Sequence, residues 1–238
     1  MYLSSKNIIV IYDFDGVLVD SYWCLSKIYS KLAKMVGVPE DIFTDIMLSL
    51  EDIADYLGIW DKKVIFNIIL NNIDHHGQIN IDRVVEEYWK LRIKYSRVID
   101  NIEHVLKKFR DQGIKLYIVS GMDDTVNRKV ERIKASGLSK YFDKYIIYGK
   151  GSNVRSLREA LKTIIVNENV DLKTNIYYID DKPLNLLKIL DLNIKLVHYV
   201  FKPPFPKAYS WFYSSEIKDR IIKIYDHEEL HDIIFGQL

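Results

Sequence analysis

Ile8-Ile9-Val10-Ile11-Tyr12-Asp13-Phe14-Asp15-Gly16-Val17-Leu18-Val19-Asp20-Ser21 runs a short, mostly β-branched apolar block straight into two carboxylates two positions apart. An unbroken apolar block of this kind reads as a strand buried on both faces of a parallel sheet. Side chains at i and i+2 leave a strand on the same side, so Asp13 and Asp15 point together into the crevice that open α/β sheets form at the carboxyl ends of their strands. Like charges held close and partly desolvated raise one another's pKa, and a hard cation such as Mg²⁺ is the natural counter-charge. Gly16 supplies the backbone freedom to turn sharply off the strand. An Asp-Gly turn alone is common in α/β chains; the whole stretch carries the information.

Working outward, strand-like blocks recur at 114–119, 145–148, 175–179 and 194–199, with another at 220–225. They alternate with helical stretches, which predicts an α/β fold: a Rossmann-like parallel sheet core with helices on both faces. The later blocks follow at roughly the 30-residue interval of a βαβ unit, whereas residues 13–113 separate the first two. Something has been inserted. Leu25-Ile28-Tyr29-Leu32-Met35, Val64-Ile65-Ile68-Ile69 and Val84-Val85-Tyr88-Leu91-Ile93 recur at helical spacing, and Gly37-Val38-Pro39, Gly58 and Gly77 mark breaks between helices. The expected organisation is a core domain from 1–20 and 98–238 with an α-helical cap domain over 21–97, placed as a lid over the carboxyl ends of the strands. The segment from Lys202-Pro203-Pro204-Phe205-Pro206-Lys207 to Trp211-Phe212-Tyr213 reads as an irregular loop, its aromatics packing on the body or stacking on a ligand. Residues 227–235 read as a closing amphipathic helix.

Composition narrows the function classes. The chain has 238 residues, with 34 Lys+Arg against 33 Asp+Glu, and lacks the electrostatic footprint of a nucleic-acid binder. Its one cysteine, Cys24, excludes an internal disulfide framework and suits a reducing compartment as a packing residue. No apolar run approaches the roughly 18 residues that span a bilayer, and Met1-Tyr2-Leu3-Ser4-Ser5-Lys6 is too short and polar for a secretion signal. The expectation is a cytoplasmic protein acting on small molecules, with no nucleic-acid or membrane partner and no oligomeric state assigned by the pattern.

The stretch Asp13–Ser21 resembles motif I of the haloacid dehalogenase (HAD) superfamily, in its phosphatase form. The resemblance implies that Asp13 is a nucleophile that becomes phosphorylated and Asp15 a general acid and base. Tyr117-Ile118-Val119-Ser120-Gly121 is similar to motif II, implying phosphate binding by the Ser120 hydroxyl and the Gly121 backbone N–H. Tyr178-Ile179-Asp180-Asp181-Lys182-Pro183 is similar to motif IV. It implies a Mg²⁺ site of Asp13, Asp180 and Asp181, with Asp15 contributing its backbone carbonyl. An Asp-Asp before Pro183 also fits a helix N-cap, and the pairing with motif I favours the metal. Motif III is a lysine, for which Lys150 between Gly149 and Gly151 is the candidate and Lys162 the alternative. Asp123 and Asp124 read as capping and dipole-compensating residues of the following helix.

The implied activity is Mg²⁺-dependent hydrolysis of a small phosphorylated metabolite through an aspartyl-phosphate. A second Asp at position 15 speaks against dehalogenation, since halide leaves without a proton. A phosphonatase would need a cap lysine, for which Lys27, Lys31 and Lys34 are available without a distinctive setting. A sugar phosphomutase shares all four motifs, and a non-catalytic protein binding a phosphorylated ligand or a partner shares the fold.

Overall fold

The apolar block ahead of Asp13 forms β1 (Ile8–Tyr12), buried along its whole length. In this computed structural model the residues described are 8–73, 79–171, 173–205, 208–212, 217 and 219–236. Met1–Lys6, the break at Gly77, and Pro206, Lys207 and Tyr213 of the irregular segment lie outside them. In chain order the elements after β1 are β2 (Val19–Asp20), α1 (Leu25–Val36), α2 (Glu40–Leu57), α3 (Lys62–Leu70), α4 (Ile81–Tyr95) and β3 (Arg97–Val98). Then come α5 (Ile102–Asp111), β4 (Lys115–Gly121), α6 (Val126–Ala135), β5 (Lys144–Tyr148), α7 (Leu157–Asn167), β6 (Asn175–Asp180), α8 (Pro183–Leu187), β7 (Lys195–Tyr199), β8 (Ile222–Ile224) and α9 (His227–Phe235).

Among the described residues the main sheet has six strands in the order β5-β4-β1-β6-β7-β8, every neighbouring pair parallel. The alternation of side chains along β1 divides the core. Ile8, Val10 and Tyr12 join the cluster that contains Val105, Phe109 and Leu230 of α5 and α9. Ile9 and Ile11 join the one that contains Leu161, Ile164 and Leu186 of α7 and α8. The core is thus an α/β sandwich with helices on both faces, and all six strand blocks of the sequence are present within a residue or two.

The carboxyl ends of β1, β4 and β6 lie side by side, because Tyr12 is in register with Ile118 on one flank and Ile179 on the other. β1 sits at the switch point, where the chain passes first to one side and later to the other, which is where ligands of open α/β sheets bind. Beyond Asp13 the chain turns through Gly16, whose φ of 78° is in the left-handed region, and the Gly16 N–H donates to the Val19 carbonyl at 2.9 Å.

From there β2 pairs antiparallel with β3, Val19 opposite Val98. The helices α1 to α4 lie between the two ends of this ribbon and enclose a core of their own, with Leu25, Ile28, Tyr29, Phe43, Met47, Phe66 and Tyr88 fully or nearly fully buried. Gly37 and Gly58 end α1 and α2 in the left-handed conformation, as breaks at those glycines imply. The apolar faces differ in detail from the spacing. Met35, Val64 and Ile68 are 39%, 44% and 54% exposed, while Val36, Phe66 and Leu70 are buried. α1 buries the expected Leu25, Ile28, Tyr29 and Leu32 and departs only at its last turn, whereas α3 is rotated by about one position, which places the larger Phe66 and Leu70 surfaces inside. Phe201, Phe205 and Trp211, from the segment after β7, pack against this second core, each of the three rings within 5.6 Å of Tyr22. The C-terminal stretch forms α9, capped by Asp226, which accepts from the Glu228 N–H.

Candidate active site

The register of the central strands brings the acids together. Asp13 lies one residue beyond Tyr12 and Asp180 one beyond Ile179, its pairing partner. One carboxylate oxygen from each of Asp13, Asp180 and Asp181 lies within 4.8 Å of the others, all three buried. Burial, reinforced by Asp180, pushes the Asp13 carboxyl up from 3.8 to about 7. Burial likewise raises Asp180 and, with Asp180 and Asp13 adding to it, raises Asp181 well above the carboxylate range.

The donors around the trio are unevenly spread. Asp180 accepts from the Tyr178 hydroxyl at 2.6 Å and the Lys182 N–H at 2.8 Å. Asp181 Oδ2 accepts from the Trp211 indole at 2.9 Å, and its Oδ1 is buried without a partner. No described side chain donates to Asp13. A Cβ at Gly16 would stand 2.3 Å from Asp181 Oδ2, so this site tolerates nothing larger than glycine at the turn. Three hard oxygen ligands, one of them orphaned, and a charge that Lys182 offsets only in part fit a divalent cation such as Mg²⁺.

Asp15 faces elsewhere. Its carboxylate turns toward α6, where Lys129 Nζ donates to Oδ2 at 2.5 Å and Arg132 donates to both oxygens. The Ser21 hydroxyl also donates to it. Burial alone would raise this carboxyl, yet Arg132, Lys129 and Arg92 hold it well below the usual range. The Asp15 side chain is therefore outside the acidic trio, and any part it has in holding a cation falls to its backbone carbonyl.

Asp123 and Asp124 do not cap α6, contrary to the expectation from sequence. Thr125 does, accepting from the Arg128 N–H. Asp123 is buried beneath Lys129 and Arg132, each at 3.0 Å, and shares those cations with Asp15. Asp124 reaches across to the inserted helices, accepting from the Lys62 N–H at 2.8 Å and from the Trp89 indole. Both carboxylates found stronger, charged or tertiary partners than a helix dipole offers.

Ser120 and Gly121 line the cavity above the acids, and no described group bonds the Ser120 hydroxyl. Trp60 of the insertion lies over Gly121, 3.2 Å from where a Cβ would be, so the small residue there is needed for close approach of the two parts. Lys150 and Lys162 are both exposed and neither lines this cavity. The glycines around Lys150 swing it outward, with Gly149 and Gly151 at φ 148° and 95°.

The lysine facing the acids is Lys182, which lines the cavity. It is 8% exposed and paired with Asp55 of α2 at 3.0 Å. Pro183 starts α8 directly behind it. That places Lys182 at the helix entrance beside Asp181, a signal present in Asp180-Asp181-Lys182-Pro183 but hidden by the acids before it.

The cavity encloses about 290 Å³, small for a ligand site. Its far wall comes from the inserted helices and was not legible as a site. Glu51 accepts from Tyr88 at 2.8 Å and Lys62 at 2.9 Å. Burial would raise its carboxyl, but Lys62 and Arg92 hold it at about 2. Arg92 donates to the Tyr88 hydroxyl at 2.8 Å and to Ser21 Oγ at 3.1 Å.

Fold and site together define a class: a Rossmann-like α/β enzyme core with an acidic cluster at the switch point, faced by a helical insertion. The model of the haloacid dehalogenase-like hydrolase family matches residues 10–198, and the chain belongs to that family of hydrolases. A phosphoglycolate phosphatase from Aquifex aeolicus (strain VF5) is 23% identical over 158 residues, 66% of this chain and 68% of that protein. Among solved structures, a provisionally assigned beta-phosphoglucomutase from Thermotoga maritima superposes with a TM-score of 0.70 at 18% identity, covering 97% of this chain and 99% of its own. A predicted phosphoglycolate phosphatase from Haemophilus somnus 129PT gives 0.67 at 15% identity, over 96% and 98%. These relatives are phosphatase- or phosphomutase-like. No helix among the described residues is long and apolar enough to cross a membrane.

Proposed function

We propose that the chain is a Mg²⁺-dependent phosphoric monoester hydrolase for a small phosphorylated metabolite, working through an aspartyl-phosphate on Asp13. One observation carries the reading. Asp13, Asp180 and Asp181 are buried together, and Asp13 opens onto a pocket that also presents Ser120 and Lys182, so a cluster of negative charge stands beside donors suited to phosphoryl oxygens. Asp13, Asp180 and Asp181, with the Asp15 carbonyl, would hold the metal, which supplies neutralisation of the phosphoryl charge.

The protein's own groups account for the rest. Asp13 has no donor of its own, which leaves its carboxylate free to attack phosphorus in line. The new Asp13–phosphorus bond forms as the ester bond breaks, and the leaving oxygen takes, by way of Asp15, a proton that the substrate brings in as its phosphate monoanion, since Arg132, Lys129 and Arg92 hold the Asp15 carboxyl ionised beforehand. A water then attacks the phosphorus, gives its proton to Asp15 and returns Asp13 as a carboxylate. The ion-paired Asp15 is set for this second, basic half. Ser120, the Gly121 N–H and Lys182 hold the equatorial oxygens, with Lys182 in the part that Lys150 was expected to take.

Residues 21–97 form the cap domain in this reading, and 1–20 with 98–238 the core. The Asp124 latch to α3 and α4, the Lys182–Asp55 pair and Trp60 over Gly121 support a closed lid that excludes bulk water. Release of phosphate from p-nitrophenyl phosphate, with Mg²⁺ and with EDTA, tests the activity; no metal-dependent release would refute it. A mutase would instead require a bisphosphate activator and return a phosphorylated product.

A further inference from the structure

Three lysines converge on one aromatic ring outside the cavity. The ammonium nitrogens of Lys27, Lys31 and Lys94 lie 4.4, 4.9 and 5.8 Å from the centre of the Tyr95 ring, and all three residues are exposed. They stand within about a Debye length of one another, roughly 10 Å at 0.1 M salt, so they repel. Neighbouring cations on the same elements are matched: Lys34 by Glu40 at 3.0 Å, Lys90 by Glu87 at 3.7 Å and Arg97 by Asp20 at 2.9 Å. Among the described residues no carboxylate pairs with Lys27, Lys31 or Lys94.

Helix electrostatics account for only one of the three. Lys94 lies in the last turn of α4, where a cation is favoured, but Lys27 lies in the first turn of α1, where it is disfavoured and where there is no acid and no side-chain cap. The attraction of the Tyr95 ring offsets part of the repulsion and leaves the spot positive. Tyr95 adds a donor of its own. Lys31 donates to the phenol oxygen, which turns the hydroxyl hydrogen elsewhere, and no described group accepts it. That hydrogen bond, with the charges on Lys31, Lys27 and Lys94, pulls the phenol below its ordinary value.

The chemistry of the donors narrows what could fill the spot. Ammonium groups act as point charges with freely turning donors, which suits phosphoryl oxygens more than the planar fork a carboxylate takes. The matched cations on either side confine the positive charge, so a compact anion fits and a charged polymer does not. A single phosphate carries about two charges and would leave one lysine over. We propose that Lys27, Lys31, Lys94 and Tyr95 form a second anion site, apart from the acidic trio, for two linked phosphoryl groups, either as free pyrophosphate or as the diphosphate of a larger molecule. The site lies where the chain enters and leaves the helical insertion: the Trp23 indole N–H donates to the Tyr95 carbonyl at 2.9 Å, joining the segment after β2 to the one before β3. A diphosphate bound there braces both passages. The inference is independent of the phosphatase reading.

The test is titration calorimetry of the intact protein with pyrophosphate in EDTA, so that no metal carries the anion to the acidic trio. Pyrophosphate should bind about tenfold tighter than inorganic phosphate, with an affinity that falls as salt is added. The double variant Lys27→Met, Lys31→Met changes only exposed side chains and should keep the wild-type circular dichroism spectrum, yet weaken pyrophosphate binding by about tenfold. Binding to that variant within threefold of wild type would place the anion elsewhere and overturn the proposal. No binding to the wild-type protein, or no preference for pyrophosphate over inorganic phosphate, would overturn it without need of any variant. ADP serves to separate the two sources of the diphosphate: an affinity equal to that of pyrophosphate assigns the site to a diphosphate carried on a larger molecule, and a much weaker one assigns it to the free anion.

Discussion

Neutralising Asp13 should make the metal-free protein more stable. Asp13→Asn removes a charge that sits buried beside Asp180 and Asp181 with no donor of its own. The Asp13 carboxyl is held at about 7 where 3.8 is ordinary, which corresponds to about 4 kcal/mol of destabilisation by the ionised group at pH 8. The amide keeps the shape but carries its own desolvation cost of about 1–3 kcal/mol. The net gain is about 2 kcal/mol, or a Tm rise of roughly 4–8 °C for a chain of this size.

The sign with pH follows from proton binding. Between about pH 4 and 7 the native Asp13 keeps a proton that the unfolded chain has released, so wild-type stability falls as pH rises and the penalty is complete above about 7. The advantage of Asp13→Asn should therefore shrink by about 3 kcal/mol between pH 8 and pH 5. His198 and His227, pushed down to about 4 by burial, act with the opposite sign below pH 6.5 but cancel in the difference between the two proteins. Differential scanning calorimetry in EDTA reads both quantities. Mg²⁺ should then raise the wild-type Tm and leave that of Asp13→Asn nearly still. A variant no more stable than wild type in EDTA at pH 8 would refute the claim that the acidic cluster is only partly compensated without a cation.

Three further outcomes follow from particular contacts. Lys182→Met should lower kcat/KM for p-nitrophenyl phosphate by at least about a hundredfold, while Lys150→Ala, exposed and off the cavity, should stay within about twofold of wild type; the reverse result would reinstate Lys150. Gly16→Ala combines a left-handed φ of 78° with a Cβ 2.3 Å from Asp181 Oδ2, and should lose more than about 2 kcal/mol by chemical denaturation. Asp124→Ala leaves the Lys62 N–H and the Trp89 indole without their acceptor. It should cost about 1–3 kcal/mol and increase proteolysis between α4 and the core, and unchanged proteolysis would deny it the role of latch.

The core was legible in the sequence because a parallel sheet writes itself as short apolar blocks, and the acids that matter sit at the ends of those blocks. Asp13, Ser120 and Asp180 could be placed by counting from Tyr12, Val119 and Ile179. Lys182, Arg92, Lys129 and Arg132 were not legible, because each works through a partner distant in sequence: Asp55, Ser21, Asp15 and Asp123. A lysine in a chain with 34 basic residues announces nothing until a tertiary partner is known. The same holds for Asp123 and Asp124, whose local setting imitates a helix cap. The helical insertion was recognisable by spacing, but its buried faces were set by the bulk of Phe66 and Leu70, which periodicity alone does not weigh.

The covalent step is the centre of the account. Rapid acid quench of the protein turning over p-nitrophenyl phosphate with Mg²⁺, followed by peptide mass spectrometry, should find one added phosphoryl group on the peptide that contains Asp13 and none in Asp13→Asn. Phosphate released at full rate with that peptide never modified, or modified at another residue, would contradict it.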